Sequence, residues 1–148
     1  MGGGGGEAYV AAAAQQHGVT ERTVFTGHRE DVPEILRALD VLVIPSTRHE
    51  GVPQIGLQAL ACGTPVVGSD VGGIPEIIRP GTTGRIFPAE DAAALAAKIR
   101  ETLEHTEETR RLSAAGRALV TAEHSLSAMV AKLEKIYARH LPQQDNDH

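Results

Sequence analysis

Asp40 to Ile77 reads DVLVIPSTRHEGVPQIGLQALACGTPVVGSDVGGIPEI, and this stretch decides the fold. Val41–Leu42–Val43–Ile44 is an unbroken apolar run stopped by Pro45. Such runs suit strands buried on both faces of a parallel sheet. Residues 46–52 are polar and read as a loop. Pro53 then opens a helix, a position where its missing N–H is not needed. That helix runs to about Cys62, and Gly63 closes it. Pro65–Val66–Val67–Gly68 is the next buried strand, Gly72–Gly73 a loop, and Pro75 the start of another short helix.

The same alternation extends outward. Upstream, Glu7–Gln16 is Ala-rich and helical, and Gly18 stops it. Thr23–Thr26 is a β-branched and aromatic run that predicts a strand ending at Gly27. Asp31 can cap a short helix through Leu39, with Pro33 in its first turn. Downstream, Pro80–Gly81 turns the chain into a strand at Gly84–Phe87. The succession of strands and helices predicts an α/β, Rossmann-like, doubly wound parallel sheet in a single domain. The remainder is helical. Ala92, Leu95, Ile99 and Leu103 mark one apolar face, and Leu112, Ala115 and Leu119 a second. Leu126, Met129, Val130, Leu133, Ile136 and Tyr137 mark a third, most simply a stripe packed into the core. The expected division is a flexible glycine tract at 1–6, one α/β domain at 7–141 and a polar, disordered tail at 142–148.

Composition narrows the function classes. The chain has 148 residues, 14 Lys+Arg and 19 Asp+Glu, a net charge of −5. That length fits one domain with a proper core, not two Rossmann-type domains. The acidic balance argues against a nucleic-acid partner. The lone cysteine, Cys62, excludes a disulfide framework and reads as a structural thiol. No run approaches the length of a spanning helix, and Met1 followed by Gly2–Gly6 is not a secretory signal. The seven histidines, including His28 and His49, show no ligand pair at helical spacing, so no metal site is expected.

In an open α/β sheet, ligands bind outside the carboxyl ends of the strands. The loops at 27–31, 46–52 and 69–74 leave such ends. The second is the most informative. It ends at a helix start, which offers free backbone N–H groups and the positive end of the dipole. That arrangement binds anions, diphosphates above all. Glu50 beside it can accept hydroxyl protons, and Gln58 can bond a diol. Taken alone, a loop glutamate is most simply solvated, Ser46 most simply caps the helix, and Glu76 most simply complements a helix dipole.

Several motifs here occur together in order: Pro45–Ser46, Glu50–Gly51-x-Pro53, Ala59-x-Ala61–Cys62–Gly63-x-Pro65–Val66–Val67 and Gly72–Gly73-x-x-Glu76. Phe25-x-Gly27 upstream and Thr83–Gly84 with Pro88 downstream fit the same scheme. Together they resemble the C-terminal signature of the group 1 (family 4) retaining glycosyltransferases of GT-B fold, over roughly residues 20–140. The resemblance implies the C-terminal half of a GT-B fold, which binds a nucleotide-activated sugar for transfer to a carbohydrate or lipid-linked acceptor. Glu50 is implied as the catalytic residue that contacts the donor sugar. Gly51, Val52, Pro53, Gln54 and Ile55 would line sugar and phosphates. Gly27, His28 and Arg29 would lie near the nucleobase, and Ser46, Gly72 and Gly73 would contact the donor. No metal and no cofactor besides the donor are implied.

The departures carry expectations of their own. The family has a second carboxylate eight residues after the first, where this chain has Gln58. A neutral partner for the ribose hydroxyls implies weaker or altered nucleotide binding. The family's N-terminal acceptor domain has no counterpart here, nor does the donor domain's first strand with its Arg and Lys. Gly2–Gly6 stands there instead, a linker or the trimmed end of a larger protein. The partners implied are therefore a nucleotide-sugar and a separate acceptor domain, with catalysis incomplete without it. The alternative is a non-catalytic nucleotide-sugar-binding or interaction module. A nicotinamide oxidoreductase is the weakest reading, since no Gly-x-Gly-x-x-Gly opens a helix. In the family the last helix leans back toward the N-terminal domain, so part of the 126–137 stripe could be a docking face. A cytoplasmic setting is expected, with peripheral attachment to the inner membrane face as its extension.

Overall fold

The computed structural model describes residues 6–48 and 50–140. His49, most of the glycine tract and the polar tail lie outside the described residues. The chain divides into two compact units, Met1–Val32 and Pro33–His148. The first holds α1 (Gly6–Gln16) and a 3₁₀ turn at Thr20–Arg22. Gly18, at φ +66°, ends α1 as expected. The predicted strand at Thr23–Thr26 is not formed. Thr23 is extended, but residues 23–26 join no ladder, and Val24 is 81% exposed. β-propensity alone does not make a strand without a hydrogen-bonding neighbour.

The second unit is built on α2 (Val32–Ala38), β1 (Leu42–Ile44), α3 (Gln54–Cys62), β2 (Val66–Ser69), α4 (Ile74–Ile77) and β3 (Arg85–Phe87). Three long helices follow: α5 (Ala92–Glu104), α6 (Thr106–Glu123) and α7 (Leu126–His140). The three strands are parallel in the order β1-β2-β3. Leu42 pairs with Val66 and Gly68 with Ile86. The row Ile44–Gly68–Ile86 shares one face. There the Ile44 and Ile77 side chains crowd Gly56 of α3, and Ile74 and Ile78 crowd Gly68. Arg85 points to the opposite face and pairs with Glu101 of α5. Helices thus flank the sheet on both sides, as the Rossmann-like reading requires.

Burial follows position in the sheet. Central β2 is buried throughout, as its apolar run predicts. β1 departs from that expectation, because among the described strands it is an edge, and only Ile44 is fully buried. Leu36, Leu60, Val67, Ile74, Ile77 and Ile78 form the centre of the core. Each such side chain contributes roughly 1.5–3 kcal/mol by leaving water. Thr64 Oγ donates to the Leu36 carbonyl at 2.7 Å, tying α2 to the chain leading into β2. Cys62 is half-buried, its Sγ 3.9 Å from the Pro33 carbonyl, in keeping with a packing role.

Two helical stripes differ from their expected roles. In α5 the buried side chain is Thr102, while Leu103 is 50% exposed. Leu95 and Ile99 of the expected stripe are half-buried, whereas Ala92 is exposed. Along α7, Leu126, Met129, Val130, Leu133, Ile136 and Tyr137 are between 41% and 73% exposed. The spacing is that of an apolar face, but α7 buries none of its residues. Among the described residues the stripe is an uncovered surface and not core packing.

The buried guanidinium organises the amino end of the sheet. Arg85, 5% exposed, lies 3.0 Å from Glu101 Oε1 and 2.9 Å from Glu108 Oε2, and donates to Thr109 Oγ at 3.1 Å. Lys98 and then Arg85 hold the Glu101 carboxyl below its ordinary value of 4.5. A carboxyl lowered on folding adds stability that is present above its unfolded value and lost as pH falls through the folded one. Glu101→Gln should therefore destabilise most at neutral pH. The gap from wild type should close as pH falls below about 4.5, in urea unfolding at pH values on both sides. A gap unchanged with pH would break this link.

Candidate functional site

The site grows from the carboxyl ends of β1 and β2, which a parallel sheet places along one edge. Ser69, the last residue of β2 and fully buried, donates its hydroxyl to the Ser46 carbonyl at 2.7 Å. That bond joins the two strand ends. Ser46 in turn donates its own hydroxyl to Glu50 Oε2 at 2.7 Å. The Gly73 N–H donates to the Glu50 carbonyl at 2.9 Å. Glu50, half-buried, is therefore held by its side chain from the loop after β1 and by its backbone from the loop after β2.

Only glycine fits where these loops meet. A Cβ on Gly72 would stand 1.8 Å from the Glu50 carbonyl oxygen, and Gly72 has φ +56°. A Cβ on Gly73 would stand 2.8 Å from the Gly51 carbonyl carbon. The sequence places a Gly–Gly pair here because two backbones touch.

The same loop delivers the start of α3. Pro53 is extended, at φ −71° and ψ 121°, and among the described residues no side-chain cap bond is made at the helix start. Ser46 thus does not take the capping role that is its default, since its hydroxyl serves Glu50. The first intrahelical bonds come from Gly56 and Leu57 to the Pro53 carbonyl. The amides of Gln54 and Ile55 precede them and belong to the set that a helix start leaves for a ligand or water. The dipole adds positive potential at the same point. Gly63, at φ +79°, closes α3 as the sequence predicts. Gln58 is half-buried, one turn beyond Gln54 on the same side of the helix. Gly51, Val52 and Gln54 are exposed, Ile55 is half-buried and Pro53 is buried beneath them.

The structure thus brings Ser46, Glu50, Gly51, Gly72 and Gly73 into one cluster beside the α3 start. Glu76 lies in the first turn of the four-residue α4 and is exposed. Gly27, His28 and Arg29 belong to the first unit. Gly27 has φ +61°, and Arg29 Nε donates to Asp31 Oδ1 at 2.8 Å. That hydrogen bond holds the Asp31 carboxyl below its ordinary value and the Arg29 guanidinium above its own. His49 lies outside the described residues.

Two features were not anticipated. Ser69 carried no functional expectation, although a small polar residue ending an apolar strand was its signal. Glu101, His105 and Glu108 have ligand atoms within 4.8 Å of one another. The expectation that no histidine pairs with a ligand at helical spacing is therefore incorrect, because the spacing runs across the α5–α6 junction. Both carboxylates pair with Arg85, and Glu101 also with Lys98.

The profile of the family described as "Glycosyl transferases group 1" matches residues 1–119. A relative, 2-deoxystreptamine N-acetyl-D-glucosaminyltransferase of Streptomyces fradiae, is 38% identical over 105 residues, 70% of this chain and 25% of its own length. Anabaena HepE in complex with UDP-glucose superposes with a TM-score of 0.82 at 25% identity, over 91% of this chain and 38% of that one. The C-terminal domain of a group 1 glycosyl transferase (LpcC) from Francisella tularensis superposes with a TM-score of 0.69 at 23% identity, over 81% of this chain and 63% of that one. The chain spans about a quarter of the curated relative's length. With a family match over most of its residues, and the fold of a solved C-terminal domain, the chain belongs to the group 1 glycosyl transferases.

Proposed function

We propose that this chain binds the nucleotide-activated sugar of a retaining glycosyl transfer, and that an N-terminal acceptor domain or partner chain completes the cleft. The observation that carries the reading is Glu50, fixed from two loops at the carboxyl edge of the sheet beside the open start of α3. A nucleotide-sugar uses both features. Its diphosphate suits the amides of Gln54 and Ile55, and its sugar hydroxyls suit the Glu50 carboxylate. As the nucleoside diphosphate leaves, its growing charge falls on amides that are already oriented, and the acceptor attacks from the same face. The chemistry calls for no cofactor besides the donor.

Relatives support the two-part cleft. HepE was solved with UDP-glucose, and the chain spans 38% of it. The exposed α7 stripe is the surface we assign to the docking of that acceptor domain. No described helix is long and apolar enough to cross a membrane. The setting we assign is cytoplasmic, with any membrane association peripheral.

One residue favours a second reading, a nucleotide-sugar-binding module without transfer. Gln58 offers the ribose a neutral partner where a carboxylate would give a bond about twice as strong. The test is a thermal-shift panel of UDP-, GDP-, ADP- and TDP-sugars on wild type and Gln58→Glu. Ligand at 100 times its dissociation constant stabilises by about 2.7 kcal/mol. A shift with one nucleotide series identifies the base. Gln58→Glu should tighten that series about fivefold to tenfold. No shift from any sugar, in a folded sample, would overturn donor binding.

A further inference from the structure

We infer that Ser46 is a positioning residue for Glu50, with Ser69 as its anchor, and that together they fix which carboxylate oxygen faces the donor sugar. The inference rests on the donor-site reading above. A loop glutamate free to rotate presents either oxygen in many directions, and ordering it on binding costs side-chain entropy. Here the rotation is already spent. Ser46 donates to Oε2 at 2.7 Å, which leaves Oε1 as the oxygen without that bond. Ser46 is itself placed by Ser69, whose buried hydroxyl donates to the Ser46 carbonyl at 2.7 Å. The Glu50 backbone is fixed independently through Gly73. The carboxylate therefore has a rigid floor under its backbone and one hydrogen bond setting its tip.

A serine that only stabilised the loop would affect nucleotide and nucleotide-sugar alike. A serine that aims Glu50 affects only the sugar. The experiment is calorimetric titration of the chain with UDP and with UDP-glucose. The readout is the ratio of the two dissociation constants, for wild type, Ser46→Ala, Ser46→Thr, Glu50→Ala and Ser46→Ala/Glu50→Ala. Ser46→Ala should cut the preference for UDP-glucose about tenfold, the scale of one hydrogen bond to a charged group, with UDP affinity unchanged. Ser46→Thr keeps the hydroxyl and should restore it. In the Glu50→Ala background, Ser46→Ala should add less than about twofold, since coupled residues are not additive. A ligand-free check uses 13C-carboxyl-labelled glutamate, in which the Glu50 resonance should move in Ser46→Ala and return in Ser46→Thr.

The failures separate cleanly. If wild type prefers UDP-glucose and Ser46→Ala does not change that preference, the positioning role is overturned while the donor site stands. If Ser46→Ala weakens UDP and UDP-glucose equally, Ser46 is a loop stabiliser only, and the role is overturned. If wild type has no preference for the sugar, the donor-site reading falls for this class and the role falls with it.

Discussion

Glu50→Ala should lower transfer by about a thousandfold in an enzyme completed with an N-terminal acceptor domain, while the isolated chain should unfold nearly as wild type does. Removal of one preorganised polar group from a reacting centre costs roughly a hundredfold to a thousandfold in related chemistry. Glu50 sits at the upper end because its carboxylate is the one the structure holds at the loop junction. The stability side follows from what the side chain touches. Its bond to Ser46 is part-buried, and losing it costs about 1 kcal/mol. The backbone bond from Gly73 survives the substitution, so the loops stay joined. Initial rates with saturating donor, read beside urea unfolding of both proteins, check the two halves. A rate unchanged by Glu50→Ala would remove this residue from the reaction. A large fall in stability would make any lost rate uninterpretable as chemistry.

Much of this site was legible because the residues that build it are punctuation. Pro53 and Gly63 bracket α3, and the structure places the helix between them. The apolar run at 65–68 became the buried central strand. Glycine pairs and prolines report backbone geometry, which local sequence controls. What depends on a distant partner was not legible. Thr23–Thr26 has strand-forming residues but no ladder. The α7 stripe has near-ideal helical spacing, yet spacing cannot say whether anything covers it. Arg85 carried no expectation, and only the approach of α5 and α6 explains its burial between Glu101 and Glu108. The Ser46 hydroxyl was expected to cap a helix or to contact the donor, and its bond to Glu50 was not read from the sequence. Function followed the same rule, since the family motifs are dense in the very residues that shape that loop pair.

Gly72→Ala separates shape from chemistry at the same junction, and its effect on stability is the largest we expect from any single methyl group in this chain. Two costs combine. The left-handed backbone, at φ +56°, is unfavourable for a residue with a Cβ, by roughly 1–2 kcal/mol. The added carbon would also stand 1.8 Å from the Glu50 carbonyl oxygen, a backbone atom that cannot step aside as a flexible side chain could. Relieving such an overlap costs typically about 1–3 kcal/mol. Gly81→Ala supplies the control, because Gly81 has a similar φ of +68° and nothing within 4 Å of its Cβ position. Gly81→Ala should carry the backbone cost alone and leave donor binding unchanged. Gly72→Ala should lower the melting temperature by roughly 10 °C. It should also weaken nucleotide-sugar binding beyond its effect on stability, because the displaced atoms are those that seat Glu50. Thermal unfolding and UDP-glucose titration of both variants distinguish the terms. Equal losses from the two alanines would mean that only the backbone conformation matters. A stable Gly72→Ala chain that still binds donor would show that the loop after β2 does not hold Glu50 in place.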